Sequence, residues 1–329
     1  MQRLIAVALG LIIATPAFAL DTIKIGLVAT TSSGPLYIAQ DRGYFAAEGL
    51  TAEFFNFDAS QVVVTSVVAG DTDIGNTALS AAFYNLATKG SLRLIAGAAQ
   101  EAPSFNGQGV LVSNKAWDEG LRSFKDLGGH SVAIPQTGGP VHYSVALIVD
   151  KYHIDMKTIR LLPLQSLPNV ASALAGGTAD AGVLINTLSL PLLEKKQAHL
   201  LGWVGDERAW QIAAMFVTPK TADQRRPMVE GFLRAYKKAA RDYNDAFSPD
   251  GTRKDGPDAP AVLNILASHI GQPATRLQTG IAYVDPEARL DVKDVLHQID
   301  WFKSQGMVPA DAKSDGVIDK RYVVALPGR

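Results

Sequence analysis

The chain has 329 residues, 47% of them hydrophobic and 19% charged, with a net charge of −1 and no cysteine. This is the balance of a globular protein long enough for two domains. The lack of cysteine excludes disulfides, thiolate metal sites and cysteine nucleophiles, and without a basic tract neither nucleic acid nor an anionic membrane is an expected partner.

The first element is a leader. Arg3 precedes an apolar run from Leu4 to Ile13, then Pro16 and the small-x-small end Ala17-Phe18-Ala19. The run is too short to span a bilayer, so it reads as a secretory signal cleaved after Ala19. The mature chain is expected to be exported, soluble and periplasmic. Without Arg3 it carries 30 basic and 32 acidic residues, a net of about −2.

Strand-like runs then alternate with helical ones. "TIKIGLVA" (22–29) reads as a strand, and Pro35 to Arg42 as a helix with Gly43 at its end. "LTAEFFNF" (50–57) alternates as a strand does. Ser60 to Gly70 is framed as a helix by a serine and a glycine. "TDIGN" (72–76) reads as a short buried strand, Thr77 to Gly90 as a capped helix and "LRLIAGAA" (92–99) as another strand. Such alternation predicts an α/β fold on parallel sheets. The grammar restarts near residue 128: strand 128–134, turn "PQTGGP" (135–140), helix 141–152, strand 159–164, helix 168–177, strand 179–185.

The two stretches align with each other. "TTSSGPLYIA" faces "PQTGGPVHYSVA", and "SVVAGDTDIGNTALS" faces "SALAGGTADAGVLINTLS". Gly139 follows Gly34 by 105 positions, and Gly176 follows Gly70 by 106. A near-constant offset at separate landmarks indicates an internal repeat. Beyond Gln211 the alternation gives way to long helical stretches at 225–245, 259–270 and 291–306, with a polar loop at 247–260.

In open α/β sheets, ligands bind outside the carboxyl ends of strands. The residues there are Thr31, Ser32 and Ser33; Asn76 and Thr77; Gln136, Thr137, Gly138 and Gly139; and Asn186 and Thr187. All are neutral hydrogen-bonding types. All but the last pair are expected at helix starts, where free N–H groups and the helix dipole favour an anion. His142, in the first turn of its helix, is a candidate donor, and an anion beside it would favour its charged form. Glu101 is a candidate acceptor for an amine on a ligand. Phe105 and Tyr143 are candidate apolar walls. No metalloprotease, nucleophile-elbow or P-loop motif occurs. The six histidines form no ligand-like pair, so no metal and no cofactor is expected. Asp71-Thr72-Asp73 reads as a solvated turn.

"SGPLYIAQDRGYFAAEGL", "AGDTDIGNT" and "SFKDLGGHSVAIPQTGGPVHYSVAL" together resemble the periplasmic substrate-binding proteins of the nitrate/sulfonate/taurine class of ABC importers. The resemblance covers roughly residues 22–203. It implies a type II periplasmic-binding-protein fold, with two α/β lobes, a hinge and a ligand cleft between them. Residues 20–110 with 215–329 would form one lobe and 111–214 the other, with crossovers near Gly109–Val112 and Ala213–Thr218. The turn residues above, with His142, would line the cleft. The ligand implied is a small organic anion, a sulfonate or carboxylate, and the partners implied are ABC permease subunits, with the receptor a monomer and not an enzyme. The chain departs from taurine- and nitrate-type members where Asn186-Thr187 stand in place of a tryptophan or acidic residue. One enzymatic branch of the fold carries a cysteine-rich motif, which this chain lacks. An exported enzyme or a periplasmic sensor subunit using the same cleft are the alternatives.

Overall fold

The computed structural model describes residues 20–327; the leader and its cleavage site lie outside them. Two five-stranded sheets form its frame. In the first the strands run Leu50–Asn56, Asp21–Leu27, Ile74–Ala78, Ala213–Val217, Arg93–Gly97 across the sheet. In the second they run Arg160–Pro163, Ser131–Ile134, Ala181–Ile185, Gln108–Ser113, Ala198–Trp203. The two orders are the same order written twice. In each sheet the first three strands are parallel, and the fourth lies antiparallel between its neighbours. The spacing repeats too. Ile134 ends its strand 107 positions after Leu27 ends its own, and Ala181 begins its strand 107 positions after Ile74.

The fourth strand is exchanged. Gln108–Ser113 follows the first sheet in the chain yet completes the second, and Ala213–Val217 follows the second yet completes the first. The chain therefore passes between the sheets twice, over residues 98–107 and 204–212. The expected crossover strands, near Gly109–Val112 and Ala213–Thr218, coincide with these two exchanged strands. The passages meet: Ala99–Glu101 pairs antiparallel with Trp210–Gln211, and Tyr283–Val284 adds a third strand. Two linking segments joined by a ladder bend together, as a hinge does.

Helices cover the first sheet because their apolar residues recur at helical spacing. Arg226–Phe247 buries Val229, Phe232, Tyr236, Ala239, Ala240, Tyr243 and Phe247 along one stripe. That stripe packs with the helices Gly34–Asp41 and Ala259–Ile270 against Ile23, Ile25 and Leu27. A second core joins the other face of this sheet to the second one, through Phe83, Tyr84 and Phe216 on one side and Val110, Val132 and Tyr143 on the other. Helix Val292–Ser304 sits in that seam, contributing Val295, Ile299 and Phe302. No described helix is long and apolar enough to cross a membrane.

Three local expectations change. Asn76 and Thr77 are not at a helix start. They lie inside the strand Ile74–Ala78, and the next helix, Ala81–Ala87, is capped by Ser80, whose hydroxyl accepts from the Phe83 N–H. Conversely, Asn186 and Thr187 do open a helix, Asn186–Glu194. The Asp71–Asp73 turn is not simply solvated, since Asp73 accepts from the Lys24 N–H at 2.9 Å and pairs with Arg225 at 2.7 Å.

Candidate functional site

The carboxyl ends of Asp21–Leu27, Ser131–Ile134 and Ala181–Ile185 carry three of the turns singled out in the sequence, and Asn76-Thr77 lie in the last residues of the strand Ile74–Ala78. On the first side, Ser33 donates to the Val28 carbonyl and accepts from the Asn76 amide. Ser32, half-buried, bonds the Thr30 hydroxyl. Asn76 Oδ1 and Thr77 Oγ1 are buried without a partner. A buried oxygen without a partner costs about 1–3 kcal/mol; of the two, the Thr77 hydroxyl also has a hydrogen free to donate.

A third segment joins the two sides. The Thr31 hydroxyl donates to the carbonyl of Gly280, and the Asn186 amide donates to the adjacent carbonyl of Thr279. Gly280 also lies against Thr187: a Cβ there would come within 2.9 Å of the Thr187 methyl. The loop around residues 279–280 thus bridges turns 31–33 and 186–187. Nothing in the sequence marks it, because it lies in the helical region outside the repeat.

On the second side, Gly138 makes a cross-lobe contact. Its carbonyl accepts from the Ala81 N–H at 2.9 Å, and its own N–H donates to His142 Nδ1 at 3.1 Å. Its φ of +76° and the 3.2 Å from its virtual Cβ to the Ala81 methyl leave room only for glycine. Gly139 precedes the helix Pro140–Lys151 as its N-cap, while Gln136 and Thr137 face solvent. With no anion beside it, His142 is neutral. The ring is buried, edge-on to Trp301 at 5.0 Å, and burial pulls its pKa down to about 4. With Nδ1 accepting from Gly138, the neutral ring carries its hydrogen on Nε2.

The two aromatic candidates are core residues. Phe105 packs edge-on to Tyr283 at 5.2 Å. Tyr143 lies under the helix Pro140–Lys151, where its hydroxyl donates to Asp294 at 2.9 Å and meets His297 Nδ1 at 2.6 Å. Since the phenol hydrogen is given to Asp294, His297 supplies its own from Nδ1. This contact ties the helix over the second sheet to Val292–Ser304.

Glu101 ends the first linking strand. It is 1% exposed, neither carboxyl oxygen makes a hydrogen bond, and burial pushes its pKa up to about 8. The Gln108 backbone N–H lies near enough to draw the value back somewhat, but falls short of hydrogen-bond geometry. The carboxyl rests on Gly107, where a Cβ would lie 2.6 Å from both oxygens. The Gly107 carbonyl in turn accepts from the Asn186 N–H at 2.9 Å. Glu101 is therefore one residue removed from the bridged turns. Among the described residues no cluster of His, Asp and Glu could hold a metal ion.

Two α/β sheets of one topology, joined by a double passage and facing each other across strand ends, define a two-lobed periplasmic-binding-protein fold. The aliphatic sulphonate binding protein SsuA of Escherichia coli shares it, at a TM-score of 0.71 and 17% identity, with 94% of each chain covered. So does the nitrate-binding protein NrtA of Synechocystis PCC 6803, at 0.62 and 16%, covering 91% of this chain and 84% of that one. The alkanesulfonate-binding SsuA of Xanthomonas axonopodis pv. citri, bound to MOPS, matches at 0.67 and 18%, covering 91% and 98%. A family model described as NMT1/THI5 like matches residues 30–246, and the chain belongs to that family. A curated relative, the candidate binding protein YtlA of Bacillus subtilis (strain 168), is 26% identical over 176 residues, 53% of this chain. The match spans about half of YtlA's length, 51%.

Proposed function

We propose that the protein is an extracytoplasmic solute-binding receptor of an ABC importer. It holds a small organic anion, a sulfonate or carboxylate, between its lobes and delivers it to a membrane permease. The observation that carries this reading is the bridge from Thr31 through residues 279–280 to Asn186, which joins strand ends of both sheets. The Thr77 hydroxyl, which has no partner, and the starts of the helices Gly34–Asp41 and Asn186–Glu194 suit an anion's oxygens. The named relatives are binding proteins, which favours a receptor over an enzyme. The lobes are residues 20–110 with 215–329 and 111–214, with the strands Gln108–Ser113 and Ala213–Val217 assigned whole to the sheets they complete. The mature chain acts in the periplasm as a monomer.

A thermal-shift screen of sulfonates and carboxylates on residues 20–329 tests this. A ligand at 100 times its dissociation constant adds about 2.7 kcal/mol of stability, and mass spectrometry should recover it unchanged. Turnover of a bound compound would replace the receptor with an exported enzyme.

A further inference from the structure

The polar loop 248–258 joins the helices Arg226–Phe247 and Ala259–Ile270. Loops mostly run over the surface and are mobile. Arg253, in the middle of this one, is instead largely covered, with 19% of its side chain exposed. Its guanidinium donates to Asp255 at 2.5 Å, to the Gln278 carbonyl at 3.1 Å and to the Phe247 carbonyl at 3.5 Å, and it lies over the Phe247 ring at 5.5 Å. Asp255 also accepts from the Gln278 side-chain amide. The Arg253 backbone N–H donates to the Ser104 hydroxyl at 3.2 Å.

Ser104 and Gln278 both lie where the lobes meet. Ser104 is in the first linking passage, at a φ of +67°, and its N–H donates to Asp206 in the second passage at 2.8 Å. A serine keeps such a φ only where its surroundings hold it. Gln278 closes the short helix Ala274–Gln278, and a helix end leaves carbonyls without partners. Here three successive carbonyls go to three separate segments. Gln278 accepts from Arg253 of the loop, Thr279 from Asn186 of the second lobe, and Gly280 from Thr31 of the first. The middle bond reaches from one lobe to the other, and the outer two fix the backbone that makes it. Of those two, the Arg253 bond is charge-assisted and so the stronger kind.

We infer that the loop 248–258 is a strap that restrains how far the lobes open, with Arg253 as its positioning residue. Arg253 acts through Gln278 on the contact between Thr279 and Asn186, and through Ser104 on the two linking passages. Its planar fork serves Asp255 and Gln278 together, which a lysine ammonium cannot do in the same geometry. The inference concerns the geometry of the lobes and holds whichever solute the cleft takes. A ligand gripped by both lobes would feel the strap as one common factor in its affinity. The strap changes how much of the chain is in the gripping form and not what the ligand touches.

The chain has no cysteine, so two introduced cysteines carry spin labels without background. Asn56 and Pro163 are exposed and end the outer strands Leu50–Asn56 and Arg160–Pro163, one in each sheet. With Asn56→Cys and Pro163→Cys in place, double electron–electron resonance reads the distance between the lobes directly, with no ligand added. Arg253→Ala should move that distance outward by more than about 2 Å, the scale of a domain rearrangement, and broaden its distribution. Asp255→Asn keeps the acid's shape, weakens its hold on the guanidinium and should shift the distance the same way by less. Arg234→Ala is the control: it breaks an exposed pair with Glu48 inside the first lobe and should leave the distance as in wild type. An unchanged distance in Arg253→Ala, or an equal shift in Arg234→Ala, overturns the inference and leaves the receptor reading untouched. Should Arg253→Ala fail to fold, Asp255→Asn decides on the same two criteria.

Discussion

The carboxyl of Glu101 and the imidazole of His142 are both buried, and burial moves them in opposite directions. Glu101 rises from 4.5 to about 8, so between those values the folded chain holds a proton that the unfolded chain has lost. That contribution to stability is complete below about pH 4.5 and disappears as pH rises toward 8. His142 falls from 6.5 to about 4, so its contribution is complete above about pH 6.5 and disappears as pH drops to 4. The two oppose each other in the middle of the range, and above pH 6.5 Glu101 acts without its counterweight. Asp294, also raised by burial, acts in the same sense as Glu101. The melting temperature of the empty protein should therefore fall between pH 6.5 and 8. Glu101→Gln should reduce that slope in calorimetric scans; an unchanged slope would place the Glu101 proton elsewhere. His142→Ala should cost about 1–3 kcal/mol in urea titration, because the Gly138 N–H loses its acceptor inside the protein.

At the scale of elements, much was readable because the chain repeats itself. Glycines after helices and hydroxyl residues after strands recur at one spacing, and they marked three turns that the structure sets at strand ends. The misplacement of Asn76 and Thr77 shows the limit. Threonine followed by small residues looks like a helix start locally, yet these residues are held as strand by partners far away in sequence, Leu27, Met215 and Ala214. The bridge at 279–280 was invisible for the same reason, since its meaning lies in Thr31 and Asn186 rather than in itself. Glu101 could be noticed as an acid after a strand, but its isolation depends on a linking ladder that no local pattern announces. Gly107 gives a direct check on that ladder. Gly107→Ala should destabilise by about 1–3 kcal/mol through overpacking against the Glu101 oxygens. Adding Glu101→Ala should recover part of the loss, and strict additivity of the two changes would mean that they do not touch.

Across the whole molecule, the lobes are held together at more than the hinge. The Tyr143 hydroxyl joins the helix over the second sheet to Asp294 and His297 on the C-terminal helix, and the Gly138 carbonyl meets Ala81 across the cleft. Tyr143→Phe removes the first of these and leaves a buried carboxylate short of a donor, which should cost about 1–3 kcal/mol. Small-angle scattering of the unliganded variant should show a larger radius of gyration than wild type; equal radii would mean that the tie does not restrain opening. The exchanged strands have a further effect on how the molecule melts. Gln108–Ser113 and Ala213–Val217 each fill an interior position of a sheet they reach only through a linking segment. If one lobe loosens, it pulls on the strand that leads into the other. A two-lobed chain with a simple tether would give two heat-absorption peaks. This one should give a single peak, with a van't Hoff enthalpy matching the calorimetric one, so that the halves bend apart readily but come undone only together.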